Sequence, residues 1–85
     1  MSYILGVFTS RNETLYFFNM LKKNGCYCDI ISTPNDLGKT CGISVRFREN
    51  CLTLARALMQ GQPFRTFFGF FKVSVIHGKQ LISRI

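Results

Sequence analysis

The stretch from Ser10 to Gly25 specifies a helix together with both of its ends, and this limits what the chain on either side can do. Ser10 and Glu13 fit the S-x-x-E capping box, in which the serine oxygen takes up a first-turn amide proton. Leu15, Phe17, Phe18 and Leu21 supply an apolar face. Lys22 and Lys23 fall in the last turn, where the carbonyl end of a helix favours cations, and Gly25 stops it. Before this helix, Tyr3 to Phe8 reads as a short strand buried on both faces, and after it Tyr27 to Ser32 reads as a second strand ended by Thr33-Pro34. A helix between two strands is the start of a layered α+β fold.

The rest of the chain extends the pattern. Ile43-Ser44-Val45-Arg46-Phe47-Arg48 alternates with period two, so Ile43, Val45 and Phe47 face a core while Ser44, Arg46 and Arg48 face solvent or a ligand. Asn50 is placed to cap a second helix that buries Cys51, Leu54, Ala55 and Leu58 and ends at Gly61. Pro63 leads into a long fourth strand from Phe64 to Ile76, and His77-Gly78 turns it into a fifth, Lys79 to Ile85. The predicted order is βαββαβ with an extra strand. Its simplest form is a ferredoxin-like α+β sandwich, a single domain over residues 1–85 with both helices on one face of an antiparallel sheet. The other face is then left open. With Phe67, Phe68, Phe70 and Phe71 sending rings to both sides of the last long strand, that open face argues for a homodimer.

At 85 residues and 47% hydrophobic, with nine Phe and three Tyr, the chain has material for one compact core and no second domain. A chain of this size buries only about 60–65% of its unfolded surface. No apolar window reaches the ~20 residues of a membrane span, and Met1 to Ser10 has neither the cationic start nor the cleavage site of a signal peptide. A cytoplasmic protein with reduced thiols is the expectation. Eleven basic against four acidic residues give a net charge of +7, which suits an anionic substrate or partner without naming it.

One segment has chemical potential. Between Ser32 and Arg48, Cys41 lies in a turn flanked by Gly38 and Gly42, which can take a positive φ and aim backbone N–H groups at one point. Lys39, Arg46 and Arg48 would favour a thiolate there, so Gly38, Lys39, Thr40, Gly42, Arg46 and Arg48 form a candidate anion-binding set around the Cys41 sulfur. The bland alternative is that Cys41 is simply a small buried residue at a strand start. Pro34, Asp36-Leu37-Gly38, Thr40-Cys41-Gly42-Ile43 and Val45-Arg46-Phe47 together resemble the signature of the selenium/sulfur carrier-like proteins, a small family of prokaryotic domains. The likeness covers roughly Tyr3 to Val73. It implies that Cys41 holds sulfur or selenium as a persulfide or selenopersulfide, taken from a donor protein and passed to an acceptor. Cys26, Cys28, Cys51 and the aromatic C-terminal part depart from that pattern.

Other motifs lead elsewhere or nowhere. Cys26-Tyr27-Cys28 opens a strand with both sulfurs on one face, as two core residues or as a redox pair. The C-x-C spacing, with no C-x-x-C and His77 on a turn, is not that of a metal site. Gly38-Lys39-Thr40 imitates the end of a P-loop, but Thr33 stands where its first glycine belongs and a strand follows. With Glu13, Asp29, Asp36 and Glu49 as the only carboxylates and no histidine near a nucleophile, neither an enzyme with its own turnover nor a cofactor is expected. The rival reading is a binding module that recognises RNA or a protein. Phe68-Gly69-Phe70-Phe71 after Arg65 looks like the base-stacking strand of RNA-recognition motifs, although it occupies the wrong strand for one.

Overall fold

Ser2–Phe8 forms strand β1 at the centre of the molecule, with Ile4, Leu5, Val7 and Phe8 all buried. The computed structural model describes residues 1–85, and around β1 it places α1 (Arg11–Lys23), β2 (Cys28–Ser32), β3 (Ile43–Phe47), α2 (Leu52–Gln60), β4 (Phe67–Ile76) and β5 (Lys79–Arg84). The five strands make one sheet in the order β2-β3-β1-β4-β5 with every neighbouring pair antiparallel. This is the ferredoxin-like α+β arrangement, with β5 added beside β4. The β4–β5 hairpin turns at His77 (φ 51°) and Gly78 (φ 77°), the two positive values that a tight two-residue turn requires.

Both helices lie on the same face of the sheet. Phe17 and Leu21 of α1 and Ala55 of α2 share a core with Ile4, Phe8, Val45, Phe47 and Phe70. Phe17 is its hub, with ring centroids 5.4 Å from Phe8, 6.0 Å from Phe70 and 6.4 Å from Phe47. Room for that hub is made by Gly6, where a Cβ would sit 3.0 Å from the Phe17 ring and 3.4 Å from the Phe70 ring.

Four details differ from the sequence reading. Ser10 accepts the Glu13 amide as the capping box requires, but the Glu13 carboxylate turns away and takes the N–H groups of Arg65 and Thr66 and the Thr66 hydroxyl. Those amides are then lost to the sheet ladder. Strand β4 accordingly begins at Phe67 rather than Phe64, and the Phe64 ring instead plugs the core against Phe8 at 5.1 Å and Phe17 at 6.0 Å. Asn50 does not cap α2: Glu49–Cys51 forms a 3₁₀ turn that runs directly into the helix, leaving Cys51 as the capping residue without a side-chain bond.

The second face of the sheet is covered from within. Leu5, Val7 and Val73 are fully buried there, with Tyr3, Ile31, Leu37, Phe68 and Ile82 packed around them. The Arg84 guanidinium lies over the rings of Phe68 and Phe71 at 5.0 and 4.9 Å, and Arg46 lies over Tyr3 at 5.4 Å. Arginine stems and cation–π contacts thus do part of what a third layer would do. Of the four rings on which a second chain was expected to pack, Phe70 lies on the helix side and Phe71 on this one, 4% and 5% exposed, while Phe67 remains 36% exposed.

Substituting Gly6→Ala should force the Phe17 or Phe70 ring aside and destabilise the protein by about 1–3 kcal/mol, the ordinary cost of overpacking, read as a lower urea midpoint at unchanged slope. The hydrogen bonds from Thr66 and Arg65 hold the Glu13 carboxyl below its ordinary value of 4.5. Its contribution is therefore complete above pH 4.5 and is lost as the pH falls through the lower folded value. Glu13→Gln should cost about 1 kcal/mol at pH 7, a charged hydrogen-bond contribution discounted for solvent screening. The variant and the parent should converge only once the pH has fallen below that lowered folded value.

Candidate functional site

The β2–β3 connection is a pinned hairpin loop. At its neck the Thr33 N–H donates to Gly42 O at 3.0 Å, and the Thr33 hydroxyl pairs with the buried Ser44 hydroxyl at 2.6 Å. Pro34 opens a 3₁₀ turn over Asn35–Leu37, and Leu37 packs on the covered sheet face as the loop's apolar anchor. Gly38 (φ 79°) and Gly42 (φ 93°) both take the left-handed conformation, and nothing lies within 4 Å of where their Cβ atoms would be. These glycines serve backbone direction and not close packing.

Cys41 sits between them as a free, half-buried thiol. Its Sγ lies 3.3 Å from Ile43 O and 3.3 Å from the Thr14 hydroxyl, and its N–H points to Phe8 O at 3.5 Å. Thr14 is completely buried in the first turns of α1, and its hydroxyl donates to Ser10 O at 2.8 Å. A neutral thiol is seated by this arrangement, since it can donate to the Ile43 carbonyl. For an anion, the Thr14 hydroxyl must rotate its proton toward sulfur. Gly38 N–H is taken by Asn35 O and Gly42 N–H by the Thr40 hydroxyl, while the Lys39 and Thr40 amides, next to Cys41, are unclaimed, as are those of Asn35 and Asp36 further back in the loop.

The predicted anion-binding set is only partly brought together. Gly38, Lys39, Thr40 and Gly42 surround Cys41 in the loop. Arg46 does not join them. It lies three residues into β3 from Ile43, about 10 Å at 3.3 Å per residue, and its guanidinium is bound to Asp29, Nε to Oδ1 at 2.9 Å. Those bonds to Asp29 push the Arg46 group above its ordinary value. Arg48 is further still, beyond the end of β3 and beside Tyr27 and Cys51. The residue that sequence reasoning missed is Thr14, whose hydroxyl touches the Cys41 sulfur. The topology contained the signal, because antiparallel pairing of β1 with β3 puts the end of β1, and hence the start of α1, beside the start of β3.

The remaining cysteines occupy the opposite end of the sheet. The expectation of four reduced thiols gives way to a Cys26–Cys51 disulfide, with Cys28 free, so the alternative of a Cys26/Cys28 redox pair falls as well. Gly25 (φ 82°) reverses the chain after α1 and turns Cys26 inward, where the 3₁₀ turn before α2 delivers Cys51. Cys28 is paired across the ladder with Phe47, the last residue of β3, while the Cys41 sulfur sits beside Ile43, the first, so about 13 Å of strand separates the two ends. None of the three is placed to resolve Cys41. Of the four phenylalanines of β4, Phe70 and Phe71 are buried and cannot stack on bases, while Phe68 is half-buried and Phe67 exposed.

Fold and site together define a class, a small ferredoxin-like α+β domain that presents one free cysteine on a glycine-flanked loop at a helix start. Residues 3–66 match the family described as "Putative Se/S carrier protein-like". That span is 64 of the 85 residues and includes the whole Cys41 loop, and the chain belongs to this family. The match stops short of β4 and β5. No curated protein and no solved structure shows significant similarity to the chain, and no helix is long and apolar enough to cross a membrane.

Thr14→Val keeps the volume of the side chain but removes the only side-chain hydroxyl that touches the thiol. Alkylation of Cys41 by iodoacetamide at neutral pH should slow several-fold in this variant, while alkylation of Cys28 should not change. Mass-spectrometric mapping of the labelled cysteines reads both rates in one experiment.

Proposed function

We propose that the protein carries sulfur or selenium on Cys41 between a donor and an acceptor protein. The observation that carries this reading is the placement of Cys41: a free thiol on a projecting loop, held by a buried hydroxyl that can donate to it, within the part of the chain that defines family membership. In the loading step the Cys41 thiolate attacks the outer sulfur of a persulfide on the donor. A new S–S bond forms at Cys41, the donor's S–S bond breaks, and the donor cysteine leaves as a thiolate, with no net oxidation or reduction. Selenium as the outer atom follows the same course. Discharge is the same exchange in reverse, with an acceptor nucleophile taking the outer atom.

Within this reading Lys39, the Lys39 and Thr40 amides and the Thr14 hydroxyl are the groups that meet the outer anion. Arg46 and Arg48 take no part, the first because Asp29 holds it and the second because it lies at the far end of β3. The RNA-binding alternative loses its main support through the burial of Phe70 and Phe71.

Incubation with a persulfide-bearing donor protein labelled with radioactive sulfur should transfer reductant-releasable label to the wild type and to Cys28→Ser. Cys41→Ser should accept none. Equal labelling of Cys41→Ser and wild type would sink the carrier reading.

A further inference from the structure

Three of the four cysteines have no part in the site around Cys41, and two of these are bonded to each other. Cys26 and Cys51, 25 residues apart in sequence, have their Cα atoms 6.2 Å apart, inside the usual disulfide range of about 4.4–6.8 Å. The two sulfurs differ in access. Cys26 is 4% exposed within the helix-side core, whereas Cys51 is only half-buried. Beside Cys51 opens a hollow of about 250 Å³ lined by Gly25, Tyr27, Arg48 and Asn50. That is below the roughly 300–1,000 Å³ of pockets that enclose a large ligand, so a small reactant fits better than a bulky cofactor. Arg48 forms no ion pair and stands there as an unneutralised cation. Cys51 is also the residue that caps α2, where a thiolate meets the positive end of the helix.

We propose that Cys26 and Cys51 form a second thiol centre, a disulfide that exchanges with a small anionic thiol of the glutathione class entering through the Arg48 hollow and attacking Cys51 Sγ. The attack forms a bond from the incoming sulfur to Cys51 Sγ and breaks the Cys26–Cys51 bond, and Cys26 leaves as a thiolate that takes a proton from water. A second small thiol then attacks the first at its own sulfur, releasing their disulfide and the Cys51 thiolate. Two small thiols are oxidised for each protein disulfide reduced, and the reverse sequence reforms the bond. Cys28 is not the attacking group: its Sγ is directed at Phe18 O at 3.8 Å, and burial pushes its thiol up, keeping it protonated. The bond has a mechanical role as well. Ala55 is the one fully buried residue of α2, so the disulfide at the helix start is a main tie between α2 and the sheet, and opening it loosens that helix.

The test uses the full chain, oxidised, with reduced glutathione as the charged probe and 2-mercaptoethanol as the neutral one, followed by acid quenching, alkylation and mass mapping. A glutathione adduct on Cys51, with Cys26 becoming alkylatable in step, is the expected result, and it should be the same in Cys41→Ser. The exposed substitution Arg48→Ala should slow the glutathione reaction several-fold and leave the 2-mercaptoethanol reaction unchanged. The proposal is overturned if Cys26 and Cys51 both alkylate as free thiols after treatment with oxidised glutathione. It fails equally if the bond opens only in denaturant, if the adduct maps to Cys26 or Cys28, or if Arg48→Ala affects both thiols alike or neither.

Discussion

The contact of Phe17 with the gap at Gly6 sets the height and direction of α1 above the sheet, and the other features hang from it. A side chain on Gly6 would hold the helix off. Without one, the Phe17 ring sinks to touch Phe8, Phe47 and Phe70, one residue from each of the three central strands. Fully burying a phenylalanine is worth about 1.5–3 kcal/mol, a large part of the 5–15 kcal/mol that holds a typical domain together. With Phe17 seated, Thr14 lies one turn nearer the start of the helix, and its hydroxyl is brought to the Cys41 sulfur. The Cys41 loop is thus registered to the core through the helix that Phe17 seats.

The same sheet keeps two kinds of sulfur chemistry apart. Cys41 belongs to the end where β1 finishes and β3 begins, while Cys26, Cys28 and Cys51 belong to the end where β3 finishes. A β-strand cannot shorten, so the distance between them is set by its rise per residue. Cys41 is consequently out of reach of Cys28, the other free thiol, and of the Cys26–Cys51 disulfide.

What could be read from sequence was whatever depends on period and local chemistry. The helix from Ser10, the alternation Ile43 to Phe47, the His77-Gly78 hairpin and the two-layer order follow from side-chain spacing and turn residues, and all are present in the structure. The Gly38 and Gly42 conformations were legible for the same reason. The remainder required knowing which strands are neighbours. Glu13 looked like a capping partner for Ser10 until β4 brought the Arg65 and Thr66 amides within reach, and Arg46 looked free until its register opposite Asp29 was known. Nothing in the spacing of Cys26 and Cys51 points to their bond. It depends on where the end of α1 and the start of α2 meet over the sheet.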